Sequence, residues 1–270
     1  MNKENILNKI TLTDIQNHKK SDAPLVCLTS YTAPMTKIID PHCDIILVGD
    51  SLGMVVYGME NTLGVTLDMM INHGKAVMRT AKHAFVVVDM PYGTYENDPA
   101  IALESAKRLI GETGGDALKL EVNKALAPTI ELLVNNDIPV QAHVGLCPQS
   151  VEKEGGYKVK GKTNQEISSL IEDALACEKA GAFSVLIEGT KETASREIAA
   201  AVNVPTVGIG ASPSCDGQIL VVDDMLGMIT DHTPKFVKKY AQLADVIDNA
   251  VAGYAEDVRE RKFPNEKYVY

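Results

Sequence analysis

From about residue 25 to residue 225 the chain alternates short runs of Val, Ile and Leu with longer amphipathic stretches. The apolar runs fall at 25–29, 45–49, 85–88, 117–120, 138–144, 184–187, 204–209 and 219–222. They read as buried parallel strands, which need not alternate because both faces are covered. The stretches between them carry helix punctuation. Thr66 precedes a segment with Leu67, Met70, Ile71, Val77, Met78 and Ala81 on one face. Asp98 followed by Pro99 is an N-cap with proline at the first helical position, and Gly114-Gly115 closes that helix. Thr163 and Glu166 form a capping box, opening a helix with Ile167, Leu170, Ile171, Ala174 and Leu175 facing inward. Another helix is expected over 191–202. Eight strands interleaved with helices predict an α/β fold, a (β/α)8 TIM barrel, for which about 250 residues is typical. An open doubly wound sheet is the rival, but no G-x-G-x-x-G follows the first run.

The 270 residues are assigned to a single barrel domain, 1–270, with a helical cap over 1–22 and helices and a tail over 235–270. A fold of that size buries about 70–75% of its unfolded surface and needs no disulfide or metal staple. Lys and Arg total 26, Asp and Glu 36, so the formal net charge is 26 − 36 = −10. That balance argues against nucleic acid or an anionic membrane as partner, since both reward a basic face. It leaves room for an anionic small substrate, held by local cations or a metal. The five cysteines, Cys27, Cys43, Cys147, Cys177 and Cys215, form no C-x-x-C pair. Neither a disulfide framework nor a zinc ribbon is therefore expected. The N-terminal stretch MNKENILNKITLTD lacks the apolar core of a secretory signal. No apolar run approaches the roughly 18 residues of a membrane span. A reducing cytoplasm is the expected setting.

A barrel of this kind does its chemistry at the C-terminal ends of its strands. Ser30-Tyr31 follow the first apolar run, Asp50-Ser51 the second, and Asp89 the third. Lys119 and Glu121 lie two apart, on one face of the fourth strand. His143 sits on the fifth, Glu188 ends the sixth, Gly208-Ile209-Gly210 end the seventh, and Asp223-Asp224 follow the eighth. Asp50, Asp89 and Glu121 leave adjacent strands. Three crowded carboxylates raise one another's pKa unless a cation sits among them, and oxygen ligands suit Mg2+. The plain alternative is that each acid caps the next helix. Lys119 either holds a substrate carboxylate or pairs with Glu121 or Asp89. His143 is a ligand, an acid or a satisfied core histidine. Glu188 stands across the barrel from the carboxylates, as a general base or as another helix cap. The segment 146–162 is a long polar loop in which Gly155, Gly156 and Gly161 are candidate hinges of a lid. Its lysines equally suit a solvated face.

These residues sit in ordered blocks. Val48-Gly49-Asp50-Ser51-Leu52-Gly53-Met54 is followed by Val88-Asp89-Met90-Pro91 and Lys119-Leu120-Glu121. Then come His143-Val144-Gly145-Leu146-Cys147-Pro148-Gln149-Ser150, the glycine-bounded stretch 155–161, Leu186-Ile187-Glu188, and Gly208-Ile209-Gly210-Ala211 running on to 216–221. In this order, over roughly 10–265, the sequence resembles the ketopantoate hydroxymethyltransferase family. The resemblance implies a (β/α)8 barrel assembled as a homodecamer. It implies transfer of a one-carbon unit from 5,10-methylenetetrahydrofolate to α-ketoisovalerate (3-methyl-2-oxobutanoate), giving ketopantoate for pantothenate biosynthesis. One Mg2+ per subunit is implied. Asp50 and Asp89 match the family's magnesium ligands, and Glu121 a further acid of the metal site, direct or through water. Asp50, Ser51, Asp89, Lys119 and His143 match the substrate pocket, and Glu188 the proton acceptor. Gly64 stands where the family usually has proline, and Cys147 where threonine is common; neither departure touches a residue with assigned chemistry. A barrel lyase or phosphonomutase of the isocitrate lyase type is the nearest enzyme alternative, but the Lys-Lys-Cys-Gly-His lid common there is missing. A non-catalytic barrel binding an organic acid is the other alternative, and it has no reason to keep repelling carboxylates together.

Overall fold

The computed structural model describes residues 7–19, 21–231 and 233–270. Eight parallel strands close on themselves in chain order: β1 (Leu25–Thr29), β2 (Ile45–Val48), β3 (Phe85–Asp89), β4 (Ala117–Glu121), β5 (Val140–Gly145), β6 (Ser184–Glu188), β7 (Thr206–Ile209) and β8 (Gly217–Leu220). Closure runs through Leu25↔Gly217 and Leu28↔Leu220, so the barrel has no free edge and the open doubly wound sheet is excluded. The strand bounds expected from the sequence hold within two residues at most ends. The eighth is displaced by two residues at both ends: it begins at Gly217, and Val222 already opens the next helix. Gly217 lies so close to β1 that a Cβ there would stand 2.7 Å from Leu25 Cβ and 3.0 Å from Leu25 O.

The helices are α1 (Leu12–Gln16), α2 (Ala33–Ile39), α3 (Leu52–Val55), α4 (Leu67–Met78), α5 (Pro99–Thr113), α6 (Ala127–Val134), α7 (Val151–Glu154), α8 (Asn164–Lys179), α9 (Glu192–Ala201), α10 (Val222–Met225) and α11 (Leu243–Arg259). Thr66 Oγ1 accepts from Met69 N–H and caps α4, and Asp98 caps α5 with Pro99 at its first position. Half of the capping box at α8 forms. Thr163 Oγ1 accepts from Glu166 N–H, but Glu166 Oε2 accepts from Lys162 N–H rather than from the cap residue. Leu175 does not face inward: it is exposed, and Ala174 and Cys177 are the residues of α8 that are buried. The N-terminal cap expected over 1–22 is realised as α1, while residues 1–6 and 20 lie outside the described residues.

Alternate strand residues point into the barrel. Leu25, Cys27, Ile45, Leu47, Phe85, Val87, Ala117, Phe183 and Leu186 form one apolar cluster, closed from below by Ile15 of α1. The rings of Phe85 and Phe183 meet edge to face with centroids 5.7 Å apart. The register that stacks this cluster also sets the polar layer above it, where Asp89 is level with Lys119, Glu121 with His143, and Gly145 with Glu188.

The chain divides into two compact units, 1–221 and 222–270. The second contains α10 and α11. Tyr240 N–H donates to Met225 O and Leu243 N–H to Leu226 O, tying the start of this unit to the segment before α11 and to the first residue of that helix. Val246, Val251, Tyr254 and Val258 of α11 are exposed. Asp223 and Asp224 fall in α10. No helix among the described residues is long and apolar enough to cross a membrane.

Candidate active site

The C-terminal mouth of the barrel gathers Asp50, Asp89, Lys119, Glu121 and His143, all buried, with Glu188 at its rim. None of the four acids caps the helix that follows it. The side-chain cap of α5 is Asp98, that of the 3-10 turn Lys124–Leu126 is Asn123, and neither α3 nor α9 has a side-chain cap. Asp89 Oδ2 instead accepts from Asp50 N–H at 3.0 Å, across to the neighbouring strand end. Asp50 Oδ2 accepts from Gln149 Nε2 at 2.8 Å, and Glu121 Oε2 from Gln149 N–H at 2.9 Å. Ser51 Oγ meets the Tyr31 hydroxyl at 2.8 Å.

Electrostatics follow from this crowding. Burial pushes Asp89 up to about 7, although Lys119 Nζ lies 3.1 Å from its Oδ1 and opposes the rise. Burial likewise raises Asp50, against the pull of Lys119, and raises Glu121, where Asp50 adds to the effect. Burial alone would lower Lys119, but Asp89, Asp50 and Glu121 more than reverse it, so the ammonium stays charged. Burial and Lys119 lower His143, which is therefore neutral at pH 7. Its Nδ1 lies 3.3 Å from Lys119 Nζ. An ammonium only donates, so Nδ1 accepts and the ring proton sits on Nε2. Nε2 faces Glu188 Oε2 at 3.3 Å.

Asp50, Asp89 and Glu121 share the single positive charge of Lys119, and burial holds all three above the usual carboxylate range, so a bound cation would favour the ionised forms that the metal-free site disfavours. Glu121 Oε1, a buried carboxylate oxygen, accepts no hydrogen bond among the described residues, and Asp89 Oδ1 has only the Lys119 ammonium, 3.1 Å away. Buried acceptors without a donor are costly, and a hard cation takes such oxygens. The residues fit a divalent ion on both counts. They do not form a ready-made cage: no group of three or more His, Cys, Asp or Glu side chains among the described residues is arranged to hold a metal alone.

The segment 146–162 folds over this mouth as a 3-10 turn (Pro148–Ser150) followed by α7, and Lys160 bridges to Thr190. A cavity of about 510 Å3 opens between it and the β4 end, lined by Tyr92, Tyr95, Glu121, Cys147, Gln149 and Lys153 among others. Sequence reasoning assigned no chemistry to Gln149, Tyr95 or Tyr31. Gln149 stood inside a quoted block, but nothing in its spacing announced that it would turn back to the acids.

A model of the family described as ketopantoate hydroxymethyltransferase matches residues 9–266. The 3-methyl-2-oxobutanoate hydroxymethyltransferase of Chelativorans sp. (strain BNC1) is 54% identical over 251 residues, 93% of this chain and 89% of that protein. The protein of the same name from Phenylobacterium zucineum (strain HLK1) is 53% identical over 268 residues, 99% of this chain and 97% of that one. Among solved structures, the phosphoenolpyruvate phosphomutase of Streptomyces platensis subsp. rosaceus superposes with a TM-score of 0.60 at 12% identity, over 96% of this chain and 92% of that one. A 2,3-dimethylmalate lyase does so with 0.58 at 15%, over 96% and 91%. At such low identity these last two share the fold alone, and the lyase and mutase alternative reaches no further than the barrel. The chain belongs to the ketopantoate hydroxymethyltransferase family.

Proposed function

We propose that this enzyme transfers a hydroxymethyl unit from 5,10-methylenetetrahydrofolate to 3-methyl-2-oxobutanoate, with Mg2+ held by Asp50 and Asp89 and by Glu121 directly or through water. The observation that carries the reading is the buried set of three carboxylates, Asp50, Asp89 and Glu121, served by the one ammonium of Lys119 3.1 Å from Asp89 Oδ1, with Glu121 Oε1 accepting no hydrogen bond among the described residues. Mg2+ commonly takes one or two carboxylates directly and fills its shell with water and substrate oxygens, which suits a mouth where Asp50 and Asp89 are direct ligands and Glu121 acts directly or through water. When bound, the ion supplies Lewis-acid stabilisation of charge developing on the keto oxygen. Lys119 offsets the substrate carboxylate. Ser51, fixed by Tyr31, orients it. Glu188 removes the C3 proton, and the Nε2–H of neutral His143 steadies the attacking carboxylate. Water opens the folate methylene bridge, both of its C–N bonds break, and tetrahydrofolate leaves with its nitrogens protonated, releasing the carbon at the formaldehyde level. The substrate carbanion forms the new C–C bond to that carbon, and the alkoxide that results takes back the proton held by Glu188. A cytoplasmic homodecamer belongs to the same reading.

The test is proton NMR of 3-methyl-2-oxobutanoate in D2O, with and without Mg2+, before any folate is added. Magnesium-dependent loss of the C3 proton is expected, with ketopantoate appearing once methylenetetrahydrofolate is supplied. Glu188→Gln should abolish the exchange while keto-acid binding persists. Exchange at the unaltered rate in that variant would remove Glu188 from the role of base.

A further inference from the structure

Gln149 belongs to the loop over the mouth, yet it is 5% exposed and touches two of the site's acids. We propose that Gln149, locked in place by Tyr95, is a positioning residue that decides which oxygens Asp50 and Glu121 offer to the cation and substrate. This rests on the reading of Asp50 and Asp89 as the magnesium ligands.

The hydrogen-bond count is complete. A carboxamide has two N–H donors and one oxygen acceptor. Both donors leave Nε2, to Asp50 Oδ2 at 2.8 Å and to Met90 O at 3.0 Å. Oε1 accepts from the Tyr95 hydroxyl at 2.5 Å, the shorter of that hydroxyl's two acceptor contacts, Glu121 O being 3.2 Å away. A carboxylate and a carbonyl only accept, so the amide cannot be reversed without setting oxygen against oxygen. Tyr95 is itself pinned, because its buried hydroxyl oxygen accepts from Glu121 N–H at 3.1 Å. The main-chain N–H of Gln149 then takes Glu121 Oε2. One oxygen of each acid is thus consumed by a single residue, and Glu121 Oε1 is left without a hydrogen bond.

The chemistry of the side chain matters. A neutral donor orients carboxylates without altering their charge, whereas a lysine there would cancel part of what a divalent ion needs. Gln149 also lies in the 3-10 turn that leads into α7. The seating of that loop and the aim of the two acids are therefore one event.

Calorimetric titration of Mg2+ into the unaltered chain, Gln149→Met, Tyr95→Phe and the double variant tests this. Partners of metal ligands typically change metal affinity by roughly 10- to 100-fold, and that loss is expected for Gln149→Met. Tyr95→Phe should lose less, and the double variant less than the two losses combined, since the hydroxyl acts largely through the carboxamide. A folded Gln149→Met that binds Mg2+ as tightly as the unaltered chain, or losses that simply add, would overturn the inference. If Gln149→Met does not fold, Tyr95→Phe decides, and unaltered affinity there overturns it equally. An unaltered chain that binds no Mg2+ overturns the functional reading as well, so the two failures are told apart.

Discussion

Asp89 states the problem of this site in one side chain. It is buried, its neighbour Asp50 is also acidic, and a single lysine serves both. Its pKa rises from 3.8 to about 7 on burial. A carboxyl whose folded value lies above its unfolded value binds more protons folded than unfolded, so its contribution to stability falls as pH rises between those two values. Asp50 and Glu121 shift in the same direction. The metal-free chain should therefore lose stability from pH 5 to pH 8 relative to Asp89→Asn, which cannot titrate. Mg2+, competing with the proton, should raise the melting temperature more at pH 8 than at pH 5. An equal rise at both pH values would contradict this. The acids were legible in the sequence because each ends or follows an apolar run. Gln149 and Tyr95 were not, because their partners lie 99 and 54 residues away in the chain and no local pattern encodes such a contact.

At the scale of elements, strand ends decide where side chains point. Gly145 ends β5 with φ 98°, and a Cβ there would lie 2.4 Å from Glu188 O and 2.5 Å from Thr190 Oγ1. Gly145→Ala must push the end of β5 away from the end of β6, which carries Glu188. A displacement near 1 Å costs roughly 100-fold in rate, so C3 exchange should fall by about that factor while Mg2+ affinity changes much less. Equal losses in both would place the damage elsewhere. Most elements could be read from residue types: Thr66, Asp98 and Thr163 each cap the helix they were expected to cap. Leu175 misled because helical periodicity cannot say which part of an apolar stripe meets a neighbour. The eighth strand was expected two residues late because its first residues, Gly217 and Gln218, resemble a turn. The lack of a side chain at Gly217 is what allows β8 to reach β1.

For the whole molecule, the β1–β8 seam converts a sheet into a barrel. Gly217→Ala sets a methyl against Leu25 and should cost about 1–3 kcal/mol, as overpacking in a tight interior does. A lower denaturant midpoint with an unchanged slope would register this; an unchanged midpoint would show that the seam can give. The seam also has a consequence in time. Leu25 is among the first residues of the barrel to be synthesised, and its partner at Gly217 among the last. At about 5–20 residues per second, roughly 10–40 s pass on the ribosome while β1 waits with one side unpaired. No nascent fragment short of β8 can seal that side, so the emerging chain must be kept from pairing with its neighbours until translation of the barrel is nearly finished.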